Sequence, residues 1–325
     1  MQRLKRKLWW WFITIPLKVN TFFLPLLPKR ERETLSYTDP VIKLHQLSEY
    51  VSYQFLSYRV KSELKVDPIW KAAFQDSNYF NPIDVAVDAL VFHNNKQSKS
   101  SFLRHFEDNY TFLKNYAVWD NANSAFWIPY YLDYPKYGMK APWVSGLTQA
   151  LTLSVALRMK PQDHHFIDGL YTSLSVPVKK GGVKTQHPSG YPWIAEYPGD
   201  IPFVLNGQLS VLIGLAEYYN YSGKENAYEL FLQIFKGILQ DYNEYVLKNE
   251  LRYCWKTNQL ANIQYKGLHA FQLLHLYKLT QLQEIRRLAL EWINVVSWKD
   301  FCRFHHISKE GQVRLIHRLR QALKA

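Results

Sequence analysis

Cysteine is scarce in this sequence: Cys254 and Cys302 are the only two in 325 residues, and 48 positions separate them. Two thiols at that spacing match no metal-ligand pattern and build no disulfide framework. Their use as small apolar fillers fits a reducing or redox-neutral compartment. Long hydrophobic runs are missing as well. The apolar stretch at 8–17 is interrupted by Lys18 and Asn20, and Pro16 and Pro25 disfavour one straight helix. A spanning segment, which needs about 20 apolar residues, is therefore excluded there. Sheet-period alternation is rare from residue 83 onward, which argues against a largely β body. Acidic residues number 27 against 40 Lys and Arg, a net charge of +13.

That charge sits at the ends. Residues 1–33 carry eight Lys/Arg against two Glu, and 299–325 carry seven against two, so 34–298 is close to neutral. With the basicity on peripheral segments and no nucleic-acid motif, nucleic acid is not the expected partner; a membrane surface or an anionic glycan fits better. Trp9, Trp10 and Trp11 follow a basic cluster of Arg3, Lys5, Arg6 and Lys7, residue types that settle at a lipid headgroup boundary. Residues 1–33 are accordingly read as a membrane-surface anchor on the cytoplasmic face. The alternatives are an uncleaved signal leading to a secreted or lumenal location, or a segment packed on the enzyme body. No small-residue cleavage site follows the apolar run.

Aromatic residues are abundant, at 16% with 11 Trp and 23 Tyr, and flat faces with polar edges suit sugar stacking as well as packing. Apolar residues recur at helical spacing in pairs of segments: 83–94 with 99–116, 144–159 with 163–174, 203–220 with 224–246, and 267–279 with 283–297. Two aromatic, Pro- and Gly-rich stretches interrupt them, at 125–143 and 181–202, and long ordered loops of this kind tend to carry function. Residues 250–256 and 261–265 suggest a short β-hairpin. The expectation is an all-α protein, an α/α toroid of about four helical hairpins over 34–298, with a cleft at its loop-bearing rim and a basic tail at 299–325.

A set of motifs then appears in order: PWVSGLTQA at 142–150, GGV at 181–183, EYP at 196–198, FVLNG at 203–207, Tyr253, and QYKGLHAFQLL at 264–274. Each is weak alone. Together, in this order and spacing, they resemble the C-terminal catalytic domain of the D-glucuronyl C5-epimerases over roughly residues 100–280, with a fainter echo at 79–93. The resemblance implies a uronyl C5-epimerase converting D-glucuronate to L-iduronate in a heparosan-like polysaccharide, with no cofactor. It places the functional carboxylate on Glu196, its neighbouring tyrosine on Tyr197, and two later functional tyrosines on Tyr253 and Tyr265. Two departures stand out. Ala195 occupies a position where the family usually has a second Glu, and Lys256 stands for an Arg, giving a point charge in place of a bidentate fork. The β-rich domains ahead of the barrel in animal members find no counterpart here.

Inversion at C5 removes a hydrogen α to a carboxylate, so it needs acid/base groups on opposite faces and stabilisation of an enediolate. Tyr and Glu have ordinary pKa values of about 10 and 4.3. The expectation is that burial raises the Glu and that Lys256 or a buried His lowers the Tyr. From the residues alone, Glu196 is equally a solvated loop acid, Tyr197 a packing residue, and Tyr253 and Tyr265 two tyrosines among many. His269, four positions after Tyr265, either touches the substrate carboxylate, orients Tyr265 or is a core histidine. Asn206 is a helix cap by default or a sugar ligand, and Trp143 is a cleft wall or core. His164 and His165 are neighbours on a helix and point apart, so they are read as a helix start and not as metal ligands.

Competing readings remain open. A polysaccharide lyase shares the proton abstraction but needs a proton donor at the C4 oxygen. A glycoside hydrolase needs a carboxylate pair, for which Asp200 is the only obvious partner of Glu196. A relative that binds acidic glycan without turnover is the third. A homodimer is also left open.

Overall fold

The computed structural model describes residues 50–58, 81–95, 100–247, 250–257 and 259–324. The expected anchor at 1–33 lies outside them. Among the described residues no helix is long and apolar enough to cross a membrane.

A 3-10 helix, Val51–Tyr58, comes first, then α1 (Pro82–Asn95) and α2 (Ser100–Tyr116). Strands β1 (Val118–Asp120), β2 (Ala125–Trp127), β3 (Pro129–Tyr130) and β4 (Trp143–Val144) lead into α3 (Gly146–Met159) and α4 (His164–Ser173). Strands β5 (Lys184–Gln186) and β6 (Pro192–Ile194) precede α5 (Leu205–Ser222) and α6 (Glu225–Gln240). The single turn α7 (Tyr242–Tyr245), β7 (Val246–Leu247) and β8 (Glu250–Leu251) follow, then α8 (Ile263–Thr280), α9 (Gln283–Val295), α10 (Trp298–Phe304) and α11 (Lys309–Lys324). Consecutive strands form four antiparallel pairs, each confined to one irregular segment.

The helices α1, α3, α5 and α8 pack side by side in that order, and the 3-10 helix fits between α8 and α1, closing a ring of five elements. Each inner helix carries an outer partner, α2, α4, α6 and α9 in turn. This is the all-α toroid of four hairpins that the periodicity predicts. The two layers differ in sequence for a physical reason. Inner α3 is buried at every position from Gly146 to Leu157, so its polar residues are Thr, Gln and Ser, which backbone groups can satisfy. Outer α6 buries one stripe, including Leu230, Phe231, Ile234 and Phe235, and turns its charges to solvent.

Three inner-helix glutamines tie the layers and loops together. Gln149 on α3 accepts from the Ile128 amide at 2.8 Å and donates to the Phe126 carbonyl at 2.7 Å, which pins the 125–143 stretch. Gln208 on α5 accepts from the Ile194 amide at 3.0 Å, and Gln272 on α8 donates to the Asn206 carbonyl at 2.8 Å. At the other end of the ring Arg158 of α3 meets Glu217 of α5 through two hydrogen bonds, 2.9 and 2.5 Å, with both side chains sealed from solvent. Tyr50 lies under the guanidinium at 5.1 Å, and His275 of α8 is 3.6 Å from the same carboxylate.

Two boundaries need correction. The second helix of the third hairpin ends at Gln240 and not at 246, because Asp241 leaves the helical conformation. The expected hairpin over 250–256 and 261–265 is present as a short antiparallel pairing of 251–253 with 259–261 around an Arg252–Leu260 bridge; β8 also pairs with β7, and 263 onward is helix because the Asn262 side chain caps α8 by accepting from the Tyr265 amide. The basic stretch at 299–325 supplies α11 and most of α10. Phe301, Cys302, Leu315 and Leu319 are buried there, while Arg314 and Arg318 face solvent.

Removing one partner of the Arg158–Glu217 pair leaves an uncompensated buried charge. Arg158→Ala is expected to lower unfolding stability by about 3–5 kcal/mol, whereas Arg158→Met combined with Glu217→Leu loses far less. Urea denaturation of the three proteins checks this, and a loss under about 1 kcal/mol for Arg158→Ala would show that the pair does not tie the ring.

Candidate active site

The loop-bearing rim is the end where α3, α5 and α8 begin. Glu196 arrives there directly after β6 and is fastened on three sides. The Ile194 amide is held by Gln208, the Ala195 amide donates to the Val183 carbonyl at 2.8 Å, and the Ala195 carbonyl accepts from the Gly146 amide at 2.9 Å. The Glu196 side chain then drops against the first turn of α5, where a Cβ at position 207 would meet Oε2 at 2.5 Å. A side chain there would push the carboxyl aside, so the glycine that ends the FVLNG motif lets Glu196 keep this position.

Glu196 is 5% exposed, and Oε2 has no hydrogen-bond partner among the described residues. Burial pushes its pKa up to about 7, and interaction with the Tyr197 hydroxyl opposes part of that rise. Burial of this kind penalises the charged form directly. The carboxyl is thereby poised to change charge near neutrality.

Tyrosines surround it. Tyr197 stacks on Tyr137 at 4.3 Å and lies 6.1 Å from Trp143. Tyr253 and Tyr265, from the 252–260 loop and the head of α8, stand 4.5 Å apart. Burial raises both Tyr197 and Tyr253 well above the ordinary phenol range, with Glu196 the next contributor in each case. The four predicted residues Glu196, Tyr197, Tyr253 and Tyr265 thus come together in one place from three segments. The expected lowering does not occur at Tyr197 or Tyr253. Among the described residues no cation acts on Tyr253, and the Lys256 ammonium is turned outward onto the Asp200 carbonyl at 2.6 Å. The buried Tyr197 and Tyr253 phenols are therefore proton donors, not phenolate bases.

The remaining candidates divide. Lys256 lines a groove of about 730 Å³ together with Lys136, Tyr137 and Asp200, and Tyr137 forms the wall between this groove and the Glu196–Tyr197 pair. Trp143 is core support: it lies flat on Tyr130 at 4.1 Å and its Nε1 donates to the Leu132 carbonyl at 2.7 Å. Asn206 does not cap α5, whose N-cap is Val204; its own carbonyl serves Gln272, and its side-chain Oδ1 is buried without a hydrogen-bond partner among the described residues. His269 is fully enclosed, 4.9 Å from Trp292 and 6.5 Å from Tyr265. Burial pushes it down to about 3, so it is a neutral imidazole and not a cation for the substrate carboxylate.

Two neighbours are absent from the sequence reading. Tyr137 belongs to the aromatic 125–143 stretch, whose composition marks the segment without singling out the residue. Tyr53 lies in the 3-10 helix, where both Glu196 and Tyr265 act to raise its pKa on top of burial. It precedes every motif, and nothing in its local sequence distinguishes it.

The family model described as "D-glucuronyl C5-epimerase C-terminus" matches residues 121–294. An uncharacterised protein of Methanocaldococcus jannaschii is 27% identical over 177 residues, which is 51% of this chain and 57% of that protein. The chain thus matches little more than half the length of that relative. A crystal structure of D-mannose isomerase superposes with a TM-score of 0.42 at 14% identity, over 67% of this chain and 59% of the isomerase. That likeness is too loose to say anything of chemistry.

The raised Glu196 pKa has a stability consequence. The unfolded chain loses this proton near pH 4.3, while the native protein keeps it to about pH 7. Between those values the native state binds more protons, so stability falls as pH rises and levels off above about 7. Glu196→Gln removes the slope. The variant is expected to match the parent near pH 4 and to exceed it by roughly 3 kcal/mol at pH 8. Denaturant unfolding across this range checks it, and a pH-independent difference would contradict the burial argument.

Proposed function

Because the chain belongs to the family of the D-glucuronyl C5-epimerase C-terminus, we propose that it inverts C5 of D-glucuronate residues in an acidic polysaccharide to give L-iduronate. The observation that carries this reading is a buried carboxyl poised near pH 7, enclosed by protonated tyrosines.

Ionised Glu196 takes the C5 hydrogen as a proton, and the electron pair of the broken C–H bond moves into the substrate carboxylate as an enediolate. Neutral phenols donate hydrogen bonds to that developing charge in a site from which water is largely excluded. The Tyr253–Tyr265 pair returns a proton to C5 from the opposite face. The phenolate so formed is reprotonated as Glu196 releases the proton it gained, and no net oxidation or reduction occurs. Lys136 and Lys256 supply positive charge along the groove for the carboxylates of a uronate chain. The N-terminal ends of α3, α5 and α8 at this rim add partial positive charge of the same sense.

In deuterated water the protein is expected to place deuterium at C5 of glucuronate and iduronate residues of a uronate polymer, read by NMR. Glu196→Gln, Tyr253→Phe and Tyr265→Phe keep shape and remove the transferable proton, and loss of a positioned acid or base typically costs about 100- to 10,000-fold. Exchange at the parent rate in all three variants would end this reading. Release of an unsaturated uronate without C5 inversion would make the protein a lyase.

A further inference from the structure

We infer that His187 and Asp241 form a positioning clamp that fixes where Tyr253 and Lys256 stand without touching the substrate. The kinetic part of this inference rests on the function proposed above; the structural part does not.

His187 occupies the tip of the β5–β6 hairpin, where its amide donates to the Tyr191 carbonyl and its carbonyl accepts from the Gly190 amide, both at 2.8 Å. Asp241 stands where α6 ends. His187 Nδ1 is 2.9 Å from Asp241 Oδ2 and 2.8 Å from the Ser189 hydroxyl. The Ser189 amide also points at Nδ1, from 3.3 Å, but the nearer carboxylate oxygen places the imidazole proton on Nδ1, which leaves Nε2 as a bare acceptor. Nε2 is buried with no hydrogen-bond partner among the described residues. Burial holds the ring below its ordinary titration range, against the pull of Asp241, so the imidazole is neutral and its contacts are those of an apolar ring. Those contacts form an aromatic box: Phe203 edge-on at 4.6 Å, and Trp193 and Trp255 each at 5.2 Å.

The box matters because of the backbone it holds. Phe203 has φ +54° and Ile201 has φ +35°, on either side of Pro202, conformations that non-glycine residues keep only when the surroundings impose them. The Tyr253 loop is fastened to its own return segment by the Tyr253 amide on the Gln259 carbonyl at 2.7 Å, and its second half is joined to this strained stretch. The Trp255 amide donates to the Phe203 carbonyl at 3.3 Å, the Lys256 amide to the Pro202 carbonyl at 3.3 Å, and the Leu205 amide to the Tyr253 carbonyl at 3.1 Å. Loss of the clamp therefore loosens Phe203 and the Trp255 and Lys256 amide bonds that end on it and on Pro202, while the Tyr253–Gln259 and Tyr245–Phe203 bonds limit how far the loop can move. Glu196 has separate fastenings through Gln208, Val183 and Gly146 and stays in place. The expected signature is a selective one, with the tyrosine side of the site disturbed and the carboxyl side intact.

Asp241→Ala removes the acceptor for Nδ1–H, Asp241→Asn keeps an oxygen there, and His187→Phe fills the box without an N–H. In the full chain, Asp241→Ala and His187→Phe are expected to speed amide hydrogen exchange across 203–205 and 253–257 by about tenfold or more, with α8 and α9 unchanged. Their kcat for C5 exchange on a uronate polymer falls about tenfold, while the rise of activity with pH through about 7, set by Glu196, keeps its position. Asp241→Asn restores both readouts to within about twofold. Unaltered amide exchange in both disruptive variants overturns the clamp, and faster amide exchange with unchanged kcat overturns its positioning role. Failure of Asp241→Asn to restore them overturns the hydrogen bond as the cause. A parent protein that exchanges no C5 hydrogen on any uronate polymer defeats the proposed function instead, and amide exchange alone then decides the clamp.

Discussion

The Glu196 carboxyl lies where a side chain at position 207 would begin, and much of the rim follows from that contact. Gly207 leaves the carboxyl its place, α5 starts at Leu205, and the strand leading to Glu196 runs close over the heads of α3 and α5. Gln208, the next residue along α5, holds that strand by the Ile194 amide, and Gly146 holds it by the Ala195 carbonyl. A carboxyl placed this way has left water without gaining an ion pair among the described residues. The cost of its charge appears as a pKa near 7.

The toroid gives this arrangement a polarity. Its inner helices run parallel, so the rim collects their N-terminal ends, the loops and the tyrosines. The opposite end collects their last turns and is plugged by Arg158 and Glu217. A cation near the helix C-terminal ends and an acid or enediolate near the N-terminal ends both agree with the helix dipoles. The two ends have different tasks: one buries a paired charge to lock the ring, the other buries an unpaired acid to adjust its proton affinity.

The four hairpins were legible because inner and outer helices differ in how apolar residues are spaced, and periodicity reports burial directly. The second strand of the 250–265 hairpin stops at 261, short of the expected 265, because Asn262 reads as an ordinary loop residue until its side chain is seen capping α8. Glu196, Tyr197, Tyr253 and Tyr265 could be picked out only through the order of motifs; no local chemistry separates them from other acids and tyrosines. At Tyr253 the shift runs opposite to the sequence expectation for a geometric reason. Lys256 lies three residues from Tyr253 in sequence, yet its ammonium turns away to the Asp200 carbonyl. Tyr53 and the His187–Asp241 pair depend on contacts between distant segments, which no spacing rule encodes.

The proposed chemistry turns on one carboxyl that burial brings near neutrality. Carbon-13 NMR of protein labelled at the glutamate side-chain carboxyl, with Glu196→Gln used to assign the resonance, measures this directly. The resonance of Glu196 is expected to titrate near pH 7, while surface glutamates finish below about pH 5. A Glu196 resonance that stays ionised from about pH 5 upward would mean that water or a cation reaches it, and the proposed chemistry would lose its base.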